Sequence, residues 1–199
     1  MATVVTILGF LCSTLSVTFN AIAIATPHWL ASRGRSNTDI GVFRHCNVDS
    51  GYCGDMDSLG AIINSKDIVW FRTVQATLLL GCVGSLLGLV MSFLYHIRFF
   101  ESHSGFKSLT IVNIMTLSIE LVAVVLFGLD CEDMFGLDGH TVALDWSFHV
   151  AILALCFIFL SIVLHAMEAS RAADLIRNMQ HRLTVWTTPY TLFVDQDNA

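Results

Sequence analysis

Four long apolar segments constrain this chain more than any other feature of its sequence. The hydrocarbon core of a bilayer is about 30 Å thick, so roughly 20 consecutive apolar helical residues are needed to cross it. Segments of that length cover Val4–Ala25 and residues 73–95, 108–129 and 148–167. Glu120 is their one acidic or basic residue, histidines aside. We therefore predict a bundle of four transmembrane helices.

The overall composition supports the bilayer as the solvent of this chain. Of 199 residues, 55% are hydrophobic and 13% charged, whereas soluble domains carry about 25% charged residues. The mean hydropathy is +0.70. The formal net charge is −6, so the basic surface of a nucleic-acid-binding protein is missing and we expect no nucleic-acid partner.

The four segments divide the chain into a membrane domain and a tail. We predict that residues 1–167 form the four-helix domain, with loops at residues 26–72 and 130–147 on one side of the membrane. Residues 168–199 then form a helical extension and a tail on the other side, and the remainder, through Pro189, is expected to be mobile. Three arginines of this part are available to anionic lipid: Arg171, Arg177 and Arg182.

The first apolar segment has a second interpretation as a signal peptide. Ala23-Ile24-Ala25 is similar to a cleavage site with small residues on either side. However, the apolar stretch exceeds the length of a signal-peptide core, and no Lys or Arg precedes it. We favour a retained transmembrane helix.

Cysteine chemistry orients the chain, because Lys and Arg are equally numerous on the two sides. Cys46 and Cys53 lie in a polar part of the first loop beside Gly51 and Gly54, close enough to form a disulfide. A disulfide persists only in an oxidising compartment. We therefore predict that both long loops are extracellular and that both termini lie in the cytosol, in a protein of the plasma membrane.

The first loop is long enough to fold. Residues 39–44 alternate apolar and polar side chains and are predicted to form a strand of a small antiparallel sheet. The fold class is thus a four-transmembrane-helix bundle with a small, disulfide-stapled extracellular β-sheet. His45 with the two cysteines is an alternative zinc set, but three ligands without a second pair are a poor tetrahedral site. We expect no metal and no cofactor.

Inside the bilayer two features require an explanation. The second segment carries small residues at three- and four-residue spacings, which favours close helix packing within the bundle over a dimer interface: Gly81, Gly84, Ser85, Gly88 and Ser92. Glu120 lies at bilayer depth, where an acid is costly. We predict that it is protonated and hydrogen-bonded inside the bundle, to Asn20, and the alternative is contact with a partner helix.

The sequence has none of the common catalytic motifs, so we expect no enzyme.

Several short motifs resemble the claudin superfamily of four-span proteins. That superfamily carries a Trp, then Gly-Leu-Trp-x-x-Cys, then a second Cys in its first loop. The matching residues here are Trp29, Gly41-Val42-Phe43-Arg44-His45-Cys46 and Cys53. Three further motifs are similar to the stargazin-like branch of calcium-channel gamma and AMPA-receptor regulatory subunits: Trp29-Leu30-Ala31-Ser32-Arg33-Gly34, Trp70-Phe71-Arg72 and Asp145-Trp146-Ser147-Phe148.

The resemblance implies a function without chemistry of its own. It implies an accessory subunit that binds laterally to an ion channel or glutamate receptor and modulates its gating and trafficking. It also implies that acids after the last loop-one cysteine contact a receptor, which here would be Asp55, Asp57 and Asp67. Glu120 is a candidate contact in the membrane on the separate ground of its depth in the bilayer. The alternative is the claudin role in cell junctions, in which the chain pairs with itself or with other claudin-like proteins.

Overall fold

Four helices account for most of the residues that are described by the computed structural model, which are 4–33, 37–56, 65–97, 103–135 and 141–194. They are α1 (Val4–Ala25), α2 (Ser65–His96), α3 (His103–Phe135) and α4 (Trp146–Val194). Each is long and apolar enough to cross a membrane. The predicted set of four long apolar helices is therefore confirmed.

Three of the helices extend beyond their apolar segments. α2 begins at Ser65, before the predicted start at residue 73, and α3 continues to Phe135. Charged residues such as Lys66 are excluded from hydrocarbon but not from a helix, so hydropathy marks the membrane part and not the helix ends.

α4 is helical as far as Val194, so the helix includes Pro189 and most of the segment that was expected to be mobile. Leu183, Trp186 and Tyr190 are apolar or aromatic residues at helical spacing, which favours this continuation of the helix. Residues 195–199, the rest of the predicted tail, lie outside the described part of the chain.

A five-stranded antiparallel sheet adjoins one end of the bundle, among the described residues. Its strands are β1 (Leu30–Arg33), β2 (Thr38–Ile40), β3 (Arg44–Asn47), β4 (Tyr52–Asp55) and β5 (Thr141–Leu144). Their order is β4-β3-β2-β1-β5. β5 comes from the second long loop and pairs with β1, Leu30 lying opposite Leu144. The sequence predicted a sheet in the first loop but not this contribution from the second.

The predicted strand over residues 39–44 is two strands separated by a tight turn. β2 ends at Ile40, β3 begins at Arg44, and the N–H of Gly41 donates a hydrogen bond to the Arg44 carbonyl at 2.7 Å. A Cβ at Gly41 would collide with the backbone of Thr26 and Pro27. The alternation was therefore misread as a straight strand, because close approach of the first loop to the end of α1 requires a turn at this glycine.

The disulfide between Cys46 and Cys53 is present and joins β3 to β4. The two cysteines are directly opposite each other in the antiparallel ladder, and seven positions separate them in sequence. Because both sulfurs are bonded to each other, neither is available as a thiolate to a metal. The alternative zinc set with His45 is therefore excluded.

Trp29 anchors the sheet to the helices. Its side chain is fully buried, and its indole N–H donates a hydrogen bond to the Ala23 carbonyl at the end of α1 at 2.6 Å. Its ring makes edge contacts with Phe127 of α3 and Phe148 of α4, at centroid distances of 5.0 and 5.8 Å. The Trp29 side chain, directly before β1, thus connects the sheet to α1, α3 and α4.

Replacing Cys46 by serine is expected to lower the free energy of unfolding by about 2–3 kcal/mol, because the short disulfide loop no longer restricts the unfolded chain. The measurement is surface biotinylation of cells that express the variant, in which the surface fraction should fall. Cys156→Ser is the matched control, since Cys156 is a free, exposed cysteine on α4. Equal surface fractions for the two variants would show that the disulfide is dispensable.

Candidate functional site

The carboxyl group of Glu120 lies inside the bundle and is hydrogen-bonded to α1. The side-chain N–H groups of Asn20 donate hydrogen bonds to both of its oxygens, at 2.8 and 2.9 Å. Glu120 is 2% exposed and Asn20 is 4% exposed. The predicted bond to Asn20 is present. Direct contact between Glu120 and a partner helix would require the bundle to open.

The small residues of α2 form the surface that receives α3. A Cβ added at Gly81 would collide with the Glu120 side chain, one at Gly84 with Thr116, and one at Gly88 with Asn113. Because these three glycines have no side chains, the backbones of α2 and α3 approach closely and polar groups of α3 fit between them. The interpretation of this face as packing within the bundle is confirmed.

A second polar cluster joins α1, α2 and α4 in the same core. His165 of α4 is 1% exposed, and its ring nitrogens lie 3.1 Å from the Ser161 hydroxyl and 3.3 Å from the Ser92 hydroxyl. Ser161 also shares a hydrogen bond of 2.8 Å with Ser13. Because lipid offers no hydrogen bonds, these side chains satisfy one another across the helices.

A small cavity lies within this polar interior. It is lined by Ser13, Ser16, Ser85, Asn113, Ile158 and Ser161 and has a volume of about 10 Å³. Ser16 Oγ and Asn113 Nδ2 are buried and have no hydrogen-bond partner among the described residues. A cavity of this size holds about one water molecule, which is the simplest partner for both atoms.

The outward face of α2 carries a shallow, open depression near its N-terminal, sheet-proximal end, hereafter the groove. Its volume is about 470 Å³, and its lining residues all belong to one helix: Val69, Arg72, Thr73, Ala76, Thr77 and Leu80. Thr73 and Thr77 are four residues apart with Ala76 beside them, so a second helix could approach this part of the backbone closely. Val69 and Leu80, 68% and 58% exposed, are the apolar ends of the groove.

The groove is connected to the sheet through two side chains. A guanidinium N–H of Arg72 donates to the Gln75 side-chain oxygen at 3.2 Å. The Gln75 amide in turn donates to the Val42 carbonyl, in the turn between β2 and β3, at 2.7 Å. Gln75 is 6% exposed. An occupant of the groove that displaced Arg72 would therefore act on a residue bonded to the β2–β3 turn.

Some of the residues that carry the resemblance are buried in the protein, and others are exposed. Ser147 is fully buried, shares a hydrogen bond of 2.7 Å with Thr26, and donates its backbone N–H to the His28 carbonyl. Phe43 is partly buried against the hydrophobic core. Arg44 is exposed on β3, and Trp146 is 44% exposed at the start of α4.

Of the three predicted acidic contacts, only Asp55 has a side chain that the structure describes. Asp55 is exposed at the end of β4. Asp57 lies outside the described residues, and so does the side chain of Asp67 in α2. Sequence reasoning missed the groove altogether, although its threonines and alanine have the same helical spacing as the small residues that were noticed.

No protein-family model and no curated protein matches the chain. The similarity to claudins consequently depends on the quoted motifs and on the arrangement of helices and strands.

Replacing Glu120 by methionine is expected to destabilise the bundle by about 1–2 kcal/mol. The change leaves the amide of Asn20 buried without an acceptor, and hydrogen bonds between membrane helices contribute about 0.6 kcal/mol on average and up to about 1.7. Thermal unfolding in detergent is the measurement. Glu120→Gln keeps one acceptor oxygen and should lose less stability, whereas equal losses would indicate that the bond to Asn20 contributes nothing.

Replacing Gly81 by valine is expected to destabilise the protein by about 1–3 kcal/mol, because the new side chain occupies the space of Glu120 and separates α2 from α3. The same unfolding assay applies. The matched control is Ala76→Val on the exposed side of the same helix, which should be close to neutral. A neutral effect of Gly81→Val would show that α2 does not pack on α3 through this glycine.

Proposed function

We propose that this chain is a non-enzymatic accessory subunit of an ion channel or an ionotropic glutamate receptor. In this role it binds its partner laterally in the membrane and modulates gating and trafficking. The proposal includes membership of the claudin superfamily, in the stargazin-like branch. It also places the chain in the plasma membrane, with the sheet outside the cell and both termini in the cytosol.

The arrangement of helices and strands supports the superfamily assignment. Four long apolar helices, a small antiparallel sheet and one disulfide are consistent with a claudin-like fold. The disulfide also supports the orientation, because it requires an oxidising compartment on the side of the sheet.

The observation that carries the proposal is the groove on α2. The inward small face of this helix is already occupied by α3, so the groove is a second surface at which a backbone can approach closely. A transmembrane helix of a channel fits its chemistry, since small and weakly polar residues at helical spacing favour helix association in lipid. Its position beside the sheet allows a single partner to be contacted in the membrane and outside it.

Modest contacts are sufficient for such a role. An accessory subunit shifts gating only through its different affinities for the states of the channel. A difference of about 1.4 kcal/mol shifts that equilibrium tenfold, which is within the range of one or two interhelical contacts. The link from Arg72 through Gln75 to the β2–β3 turn connects such a helix contact to the extracellular sheet.

A junctional role is the second candidate, and one observation favours it. Val48 and Tyr52, at the turn end of the β3–β4 hairpin, are 53% and 64% exposed. Apolar side chains at the tip of an extracellular hairpin can pair with a copy in the same or an opposing membrane.

The test is affinity purification of the tagged protein from its native tissue in a mild detergent, followed by mass spectrometry. The accessory role predicts recovery of a stoichiometric channel or receptor. Ala76→Phe fills the groove and should reduce that recovery by about tenfold or more, as a loss of at least 1.4 kcal/mol requires. The variant should keep its surface level and its unfolding temperature.

The matched control is Val122→Phe, which adds the same side chain to the exposed face of α3, where Val122 is 52% exposed. It should leave recovery unchanged. Equal recovery with both variants would remove the groove from the proposal. Recovery of the chain alone, with enrichment where two expressing cells touch, would establish the junctional role instead.

A further inference from the structure

Three potential metal ligands meet where the sheet joins α4. They are His28, just before β1, Asp39 of β2, and Asp145, between β5 and α4. Their side chains are 34%, 9% and 28% exposed. One ligand atom of each residue lies within 4.8 Å of the other two. The three residues are distant from one another in sequence. Asp145 begins one of the quoted motifs, but the proposed accessory role does not use the cluster.

His28 lies within ion-pair distance of both aspartates, but its two contacts are longer than a charge-assisted hydrogen bond. His28 Nδ1 lies 3.4 Å from an oxygen of Asp39 and 3.4 Å from an oxygen of Asp145. Charge-assisted hydrogen bonds are shorter, at about 2.7–2.9 Å. The pair of Arg33 with Asp39 in the same cluster does have that length, 2.7 Å.

The same spacing matches the ligands of a tetrahedral zinc ion. Bonds of about 2.0–2.1 Å at tetrahedral angles place neighbouring ligand atoms about 3.4 Å apart. The imidazole nitrogen is at that distance from both carboxylates. The two distances from His28 therefore match those between ligands of one ion, and the three ligand atoms all lie within 4.8 Å of one another.

The second oxygen of each carboxylate is already held by the protein. Asp39 Oδ1 accepts the hydrogen bond from Arg33, and Asp145 Oδ1 accepts one from the backbone N–H of Trp146 at 2.7 Å. In both residues it is Oδ2 that is directed at His28. Outer contacts that fix ligand orientation in this way are a regular feature of metal sites.

The imidazole is also held in place. The His28 carbonyl accepts the backbone N–H of Ser147 at 3.0 Å, and the ring lies 5.4 Å from the indole of Trp146. Both contacts come from the start of α4, so the same turn positions the histidine and the aspartate. Little rearrangement would be needed to bind an ion.

We propose that His28, Asp39 and Asp145 form an extracellular binding site for a divalent transition metal, with Zn²⁺ as the ion. Three protein ligands leave a fourth position for water. Nitrogen with two carboxylate oxygens suits zinc, whereas Ca²⁺ takes six to eight oxygen ligands and Mg²⁺ keeps an octahedral shell that is mostly water. Bound zinc would tie β2 of the first loop to the junction of the second loop with α4.

The first experiment is a titration of the purified full chain in detergent with Zn²⁺ in competition with a fluorescent chelator. We expect one equivalent to bind with micromolar or tighter affinity, and excess Ca²⁺ or Mg²⁺ should not displace it. The same zinc should raise the unfolding temperature, because the ion binds only the folded arrangement. Absence of binding below millimolar zinc would overturn the proposal.

Two variants and a control locate the site. His28→Gln and Asp145→Asn should each weaken binding at least about 100-fold, since loss of an outer contact alone costs 10–100-fold. His149→Gln replaces an exposed histidine near the same surface and should bind zinc as the parent does. Unchanged affinity in both ligand variants, or an equal loss in the control, would overturn the assignment.

A spectroscopic measurement on the unmodified protein remains decisive if a variant fails to fold. X-ray absorption of the zinc-loaded chain should show one imidazole and otherwise oxygen ligands, with no sulfur. Two or more imidazoles, or a thiolate, would place the ion elsewhere. The outcome is independent of the channel purification, so either proposal can fail without the other.

Discussion

The absence of water from the bilayer core governs most of this structure. A polar group there must find its partner inside the protein, and the chain places many such groups in its helices. Asn20 bonds Glu120 across α1 and α3, while Ser13, Ser161 and His165 bond one another across α1 and α4. The glycines of α2 have a matching role, because their missing side chains provide the space in which polar groups of α3 lie.

This internal satisfaction bears on where function resides. The polar side chains of the bundle are largely occupied with one another, so the described surfaces that remain free are the lipid-facing helix flanks and the sheet. The groove on α2 and the exposed hairpin tip belong to these two surfaces. The proposed metal site joins them, since it lies where the sheet meets a membrane helix.

The sequence was sufficient for the features that depend on local composition. Hydropathy located the four helices, and cysteine proximity located the disulfide. The cost of an acid inside the bilayer predicted that Glu120 is hydrogen-bonded within the bundle, to Asn20. It failed where long-range contacts decide. Nothing in the alternation at residues 39–44 reveals that Gly41 meets the end of α1, and β5 is defined only by its partner β1. The triad of His28, Asp39 and Asp145 was invisible for the same reason, because its members are distant in sequence and converge only through the antiparallel pairing of the sheet.

The pairing of β5 with β1 has a consequence for the modular exchange of loops. Each long loop supplies strands to one continuous sheet, so the two are not separate modules that can be transplanted one at a time. A chimera that carried residues 26–72 into another four-span protein would leave β1 as an unpaired edge unless the recipient's second loop offered a strand in the same register. The two loops therefore have to be inherited or exchanged together, and sequence change in one is constrained by the backbone of the other.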